Sequence, residues 1–125
     1  MPLNLLAVFL GGGIGAVTRY LTGILCVICL KTNLPVATFL VNIVGCFIIG
    51  FLYIFFIEKF QVHPALKFAL TVGFCGGLTT FSTFSLEISE MIQHSQFVHA
   101  AIYILISLIV GLIAVFFGGY IAKLL

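Results

Sequence analysis

The stretch Gly73-Phe74-Cys75-Gly76-Gly77-Leu78-Thr79-Thr80-Phe81-Ser82-Thr83-Phe84-Ser85 decides the fold. It lies inside an apolar run from about 65 to 93, longer than the ~20 helical residues a bilayer core requires. A glycine pair followed by Thr-Thr is poor helix, so an interruption is expected over residues 75–80. Backbone released from a helix at membrane depth cannot face lipid and must be buried in protein or line an aqueous cavity. Freed carbonyls can then bind cations, and half-helix N-termini favour anions. The bland alternative is a glycine kink that serves only packing. Beyond the glycines, Thr80, Thr83, Glu87, Glu90 and His94 step by three and four, one polar stripe running to the helix end. Phe81 and Phe84 project beside it. Each ring has a positive edge, and ring edges with hydroxyl donors can replace the hydration of a small hard anion.

Moving outward, 63% of the 125 residues are hydrophobic and only 6% charged, against about a quarter charged in a soluble domain. With a mean hydropathy of +1.39, the chain reads as all-α and integral to the membrane. Four spans are expected, at about 3–30, 35–57, 65–93 and 97–123, forming one membrane domain over 1–125. The first is bounded by Lys31-Thr32-Asn33, and Pro35 suits a helix start. Glu58 and Lys59 open a loop that His63-Pro64 closes. The start lacks the basic region of a removable leader. A net charge of +2 is too small for a nucleic-acid surface.

Four spans put Lys59, Lys67 and Lys123 on one side, against Lys31 on the other with Arg19 inside the first span. So weak a bias permits insertion both ways, and hence an antiparallel pair, as well as a single orientation. Arg19 needs a reason to lie at depth, where a central charge costs about 2.5–3.5 kcal/mol. It shares a helical face with Gly12, Gly15, Ala16 and Gly23, and Gly11 and Gly15 make a GxxxG pair. It either snorkels to a headgroup or supplies a fixed positive charge that draws anions into a vestibule. Thr38 and Asn42 precede Gly45 and Cys46 on the second span; Tyr103 and Ser107 precede Gly111, Ala114 and Gly118 on the fourth. Each stripe suits helix packing or a pathway lining.

The runs Gly-Gly-Gly-Ile-Gly-Ala-Val-Thr-Arg-Tyr (11–20), Asn42-Ile43-Val44-Gly45-Cys46-Phe47 and the opening stretch closely resemble the Fluc (CrcB) fluoride-channel family. The resemblance covers essentially the whole chain. It implies a dual-topology antiparallel homodimer with two pores, exporting fluoride passively across a microbial cell (inner) membrane. By that resemblance the pore phenylalanines are Phe81 and Phe84 and the pore asparagine is Asn42. The polar track includes Thr38, Ser82, Thr83 and Ser107, with Tyr103 nearby. Arg19 is the vestibule arginine. Backbone carbonyls of Gly76 and Thr79 from each subunit hold a structural sodium on the dimer axis. Glu87 matches an acidic position whose role the residues do not define.

Two other readings stand beside it. A proton-coupled small multidrug exporter needs a membrane-embedded carboxylate; the acidic residues are Glu58, Glu87 and Glu90, none early in the chain, and Arg19 would repel a cation. A non-transporting scaffold subunit explains the glycine faces and leaves the expected break in the third helix unused. No enzyme is expected. His63, His94 and His99 lack metal-ligand spacing, and Cys26-Val27-Ile28-Cys29 has no group to stabilise a thiolate. Cys26, Cys29, Cys46 and Cys75 are read as small buried apolar residues. Composition and spacing alone reach a small-anion pathway.

Overall fold

A computed structural model describes every residue except Thr32, Asn33 and Phe60, and for Lys59 the backbone alone. The sequence's Thr32-Asn33 boundary and the Lys59 side chain therefore lie outside the described residues. Apolar runs too long and too uncharged for a soluble surface become four helices long and apolar enough to cross a membrane: Pro2–Leu30, Val36–Glu58, Pro64–Gln93 and Phe97–Leu124. In finer detail, α1 is Pro2–Leu30 and α2 is Val36–Ile54, extended by a π-helical turn, Phe55–Lys59. The third span comprises α3 (Pro64–Phe68), a π-helical segment (Ala69–Cys75), α4 (Gly76–Leu78) and α5 (Phe81–Gln93); α6 is Phe97–Leu124.

The ends follow local chemistry. His63 caps α3, its Nδ1 accepting from the Ala65 N–H at 3.2 Å, with Pro64 in the first turn, where a missing N–H costs nothing. α1 ends on Lys31 in the left-handed region, φ 46°. Just past α5, Ser95 lies in the left-handed region, φ 59°, and the Gln96 N–H reaches back to Met91 O at 2.8 Å, the wrap that closes a helix C-terminus.

Packing is inside out relative to a soluble protein. Among the described residues no large side chain is fully buried, and the buried apolar set is mostly small: Ala65, Ala100, Ala114, Ala122 and Cys75, with Val41 and Leu78. Phe9, Leu5, Phe116 and Val98 are all more than two-thirds exposed, as lipid-facing positions should be. Backbones instead meet backbones at glycines, which is how helices associate where lipid is as apolar as leucine. A Cβ on Gly11 or Gly15 would strike the carbonyl of Ala69 or Phe74, and one on Gly77 would strike that of Gly12. α2 and α6 pair the same way: Gly50 rests on the Val115 carbonyl and Gly118 on that of Phe47. Gly23, expected on the packing face, has open space around it. Nor are the cysteines uniformly buried; Cys75 is, whereas Cys29 is exposed on α1, and all four are free thiols.

The departure from helix in the third span is narrower than the glycines suggested. Gly76 is helical, φ −65° and ψ −35°. Only Thr79 (φ −82°, ψ 155°) and Thr80 (φ −149°, ψ 119°) are extended, between α4 and α5. Gly77 serves the close approach to α1, not a backbone turn.

Candidate functional site

The polar residues of three helices converge on the extended pair. Asn42 of α2 reads both backbone groups of Thr80: its Oδ1 accepts from the Thr80 N–H at 2.8 Å and its Nδ2 donates to Thr80 O at 3.2 Å. Thr80 Oγ1 accepts from the Thr83 N–H at 3.2 Å and so caps α5. On the other side, the Thr79 N–H and Oγ1 both donate to Cys75 O, at 3.0 and 2.9 Å. Arg19 of α1 donates through Nη1 to Thr79 O at 3.2 Å. Buried backbone groups need partners, and here side chains supply them. Gly45, beside Asn42, lies against the side chains of Thr79 and Leu78 and sets the spacing between α2 and the turn.

Two of these bonds release carbonyls. In a continuous helix the Thr80 N–H would bond Gly76 O and the Thr83 N–H would bond Thr79 O; both donate elsewhere. Gly76 is exposed, with nothing near the position of a Cβ. Oxygen donors of this kind suit a hard cation, and a carbonyl has two lone pairs, so Thr79 O can hold both Arg19 and a second partner. The pair fits sodium in chemistry, with two donors from one chain. Among the described residues no three His, Cys, Asp or Glu side chains converge to hold a metal ion.

A cavity of about 460 Å³ opens beside the turn, lined by Asn42, Cys46, Thr80, Phe81, Phe84 and Ser107 among others. The Phe81 and Phe84 rings are 6.1 Å apart at 40°, and Phe84 lies 5.0 Å from the Tyr103 ring at 59°. Phe81 is 80% exposed. Ser107 Oγ is buried and has no hydrogen-bond partner among the described residues.

On the other side of Thr80 a cavity of about 580 Å³ is lined by Arg19, Thr38, Thr83 and Glu87. Glu87 also lines a third, of about 730 Å³, with Glu90, His94 and His99. The Glu87 carboxylate accepts from Thr38 Oγ1 at 2.6 Å and from Tyr103 OH at 2.8 Å. The hydroxyl protons of Thr38 and Tyr103 are thereby committed to Glu87. Thr83 is different. Its oxygen accepts from Thr80 Oγ1 at 3.0 Å, leaving its own proton free to donate. Ser82 is exposed, and its oxygen lies 3.3 Å from Thr80 Oγ1.

The structure thus gathers Asn42, Phe81, Phe84, Ser107, Gly76 and Thr79 around one cavity, and Arg19, Thr38 and Thr83 around another. Thr80 belongs to both and Glu87 braces the second; neither was assigned a role from sequence. The Thr80 signal lay in its place before Phe81-Ser82-Thr83, where a hydroxyl three residues ahead of an N–H can cap a helix. No local signal pairs Glu87 with Thr38, 49 residues away.

Four helices fit to span a bilayer, with polar side chains gathered inside them around an extended turn, define a small multi-pass membrane protein with a polar interior. The sequence profile of the family described as CrcB-like protein, Camphor Resistance (CrcB), matches residues 6–119, and the chain belongs to that family. It is 45% identical over 114 residues, 91% of this chain and 92% of the relative, to a protein of Flavobacterium psychrophilum named fluoride-specific ion channel FluC. A protein of the same name from Gloeothece citriformis is 45% identical over 97% of this chain and 98% of its own. One from Bacteroides fragilis is 43% identical over 96% of both.

Proposed function

We propose that this chain is a fluoride-selective channel of the cell (inner) membrane, letting fluoride leave passively and so relieving its toxicity. The observation that carries the reading is Ser107 Oγ, a buried hydroxyl without a partner among the described residues, on a residue lining the same cavity as Asn42, Phe81 and Phe84. An unsatisfied buried hydroxyl costs about 1–3 kcal/mol, which a small anion accepting its proton would relieve. The Asn42 amide has a second N–H beyond the one given to Thr80. Phe81 and Phe84 offer ring edges. Arg19 raises the local anion concentration at the wide mouth, and Thr83 carries a free hydroxyl proton onward. Fluoride, the smallest halide, exchanges water for this set in steps; larger halides fail by size.

The working unit of this proposal is an antiparallel homodimer with two pores and the third spans interrupted at mid-membrane. The 80% exposure of Phe81 and the open face at Gly76 support a second copy covering them. Two copies would bring four carbonyls, from Gly76 and Thr79 of each, to one sodium site. A sodium ion held there would supply a fixed positive potential beside the two turns.

A second reading draws on Glu87, a carboxylate facing a cavity inside the helices, as a proton-coupled exporter would require. Arg19 faces the same cavity, and the Glu87 carboxylate there is already held by Thr38 and Tyr103. The deciding experiment is efflux from liposomes containing only this polypeptide. Rapid fluoride loss, with chloride retained and no need for a proton gradient, supports the channel. Gradient-dependent cation movement supports the exporter, and no flux at all supports a scaffold subunit.

A further inference from the structure

The fluoride reading gives no task to Cys46 and Cys75, yet both line the cavity that holds Asn42 and Ser107. They reach it from different elements. Cys46 lies one helical turn after Asn42 on α2, and Cys75 ends the π-helical segment just before Gly76. The contact of Gly45 with Leu78 and Thr79 pins these elements together. Cys46 Sγ is directed at α6, 3.6 Å from where a Cβ on Gly111 would stand, one turn beyond Ser107. Both thiols are free, and Cys75 is only 4% exposed, so the shared cavity is what brings the two side chains to one space.

Thiols are soft ligands that select soft, two-coordinate metal ions such as mercury(II), silver(I) or copper(I) over sodium or magnesium. We propose that Cys46 and Cys75 form a two-thiol site for a soft metal ion, and that its occupation obstructs the cavity. With mercuric chloride as probe, two Hg–S bonds form while two Hg–Cl and two S–H bonds break, releasing two chloride ions and two protons. Nothing is oxidised or reduced. The product, a divalent ion between two thiolates, is neutral and so avoids the cost of an unpaired buried charge. Neutral mercuric chloride also reaches the site without passing Arg19 as a cation.

The binding claim stands on the thiols alone, whereas the obstruction claim rests on the fluoride pathway proposed above. The test uses the full chain carrying Cys26→Ser and Cys29→Ser, which removes the CxxC pair of α1. Mercury bound per chain is measured after washing with a monothiol, and fluoride efflux is measured in parallel. The expected result is one mercury per chain and an efflux reduced tenfold or more, restored by dithiothreitol. Adding either Cys46→Ser or Cys75→Ser should abolish both the retention and the block, with elution as an oligomer unchanged. Equal retention in either single variant, or no retention in the parent, overturns the site. Retention that needs both cysteines while efflux continues undiminished overturns the obstruction. If efflux is absent before mercury is added, the channel reading has failed, and the retention measurement still decides the site.

Discussion

Ser107 Oγ is buried without a partner among the described residues, so replacing it by alanine removes a cost to folding along with the proposed donor to the ion. Ser107→Ala should leave thermal stability in detergent unchanged or slightly raised, by no more than ~1 kcal/mol, while slowing fluoride efflux several-fold. A variant as fast as the parent would remove Ser107 from the pathway. Phe81→Ile and Phe84→Ile keep apolar volume and delete the ring edge. Each should cut efflux at least tenfold in liposomes while size-exclusion elution stays as in the parent. Unchanged flux would end the aromatic role. At this scale the sequence named Asn42, Phe81, Phe84 and Ser107 on three separate spans, and the structure places all four on one cavity. Glu87 was visible as a charge on a stripe, but its bonds to Thr38 and Tyr103 join three helices, and no periodicity within one helix encodes a partner on another.

Among the elements, the turn at Thr79 and Thr80 depends on Asn42, which satisfies both backbone groups of Thr80. Asn42→Leu strands a donor and an acceptor and should lower stability by roughly 2–4 kcal/mol, read as reduced thermal stability in detergent, with flux lost. The helix contacts give a sharper contrast. Gly77→Ala drives a methyl into the Gly12 carbonyl, whereas Gly13→Ala meets nothing within 4 Å. The first should cost about 1–3 kcal/mol and the second nothing, by the same measurement. The four spans were legible from hydropathy because lipid demands long apolar runs. The extended residues were placed too broadly, because Gly76-Gly77 signals both loose backbone and tight packing. Only the position of α1 against Gly77 separates these.

For the whole molecule, the proposal needs two copies facing opposite ways. A single cysteine placed at Lys31 of an otherwise cysteine-free chain should be labelled from both faces of sealed vesicles in comparable amounts. Labelling from one face alone would sink the antiparallel arrangement. Exchanging sodium for a bulky organic cation on both sides should depress fluoride efflux, and full activity without sodium would remove the ion from the scheme. The sequence hinted at two-way insertion through its thin lysine bias, but a pairing of copies is a property of surfaces. The bare Phe81 ring and the open Gly76 face became visible only with the helices in place.

The residues 79–80 are clamped by Asn42, Arg19 and the Thr80 hydroxyl itself, so their geometry does not rely on whatever happens to occupy the neighbouring space. In the proposed channel, a turn braced in this way does not swing between visits. Current through a single unit should therefore run steadily, without bursts and silences, and respond to voltage only through the driving force.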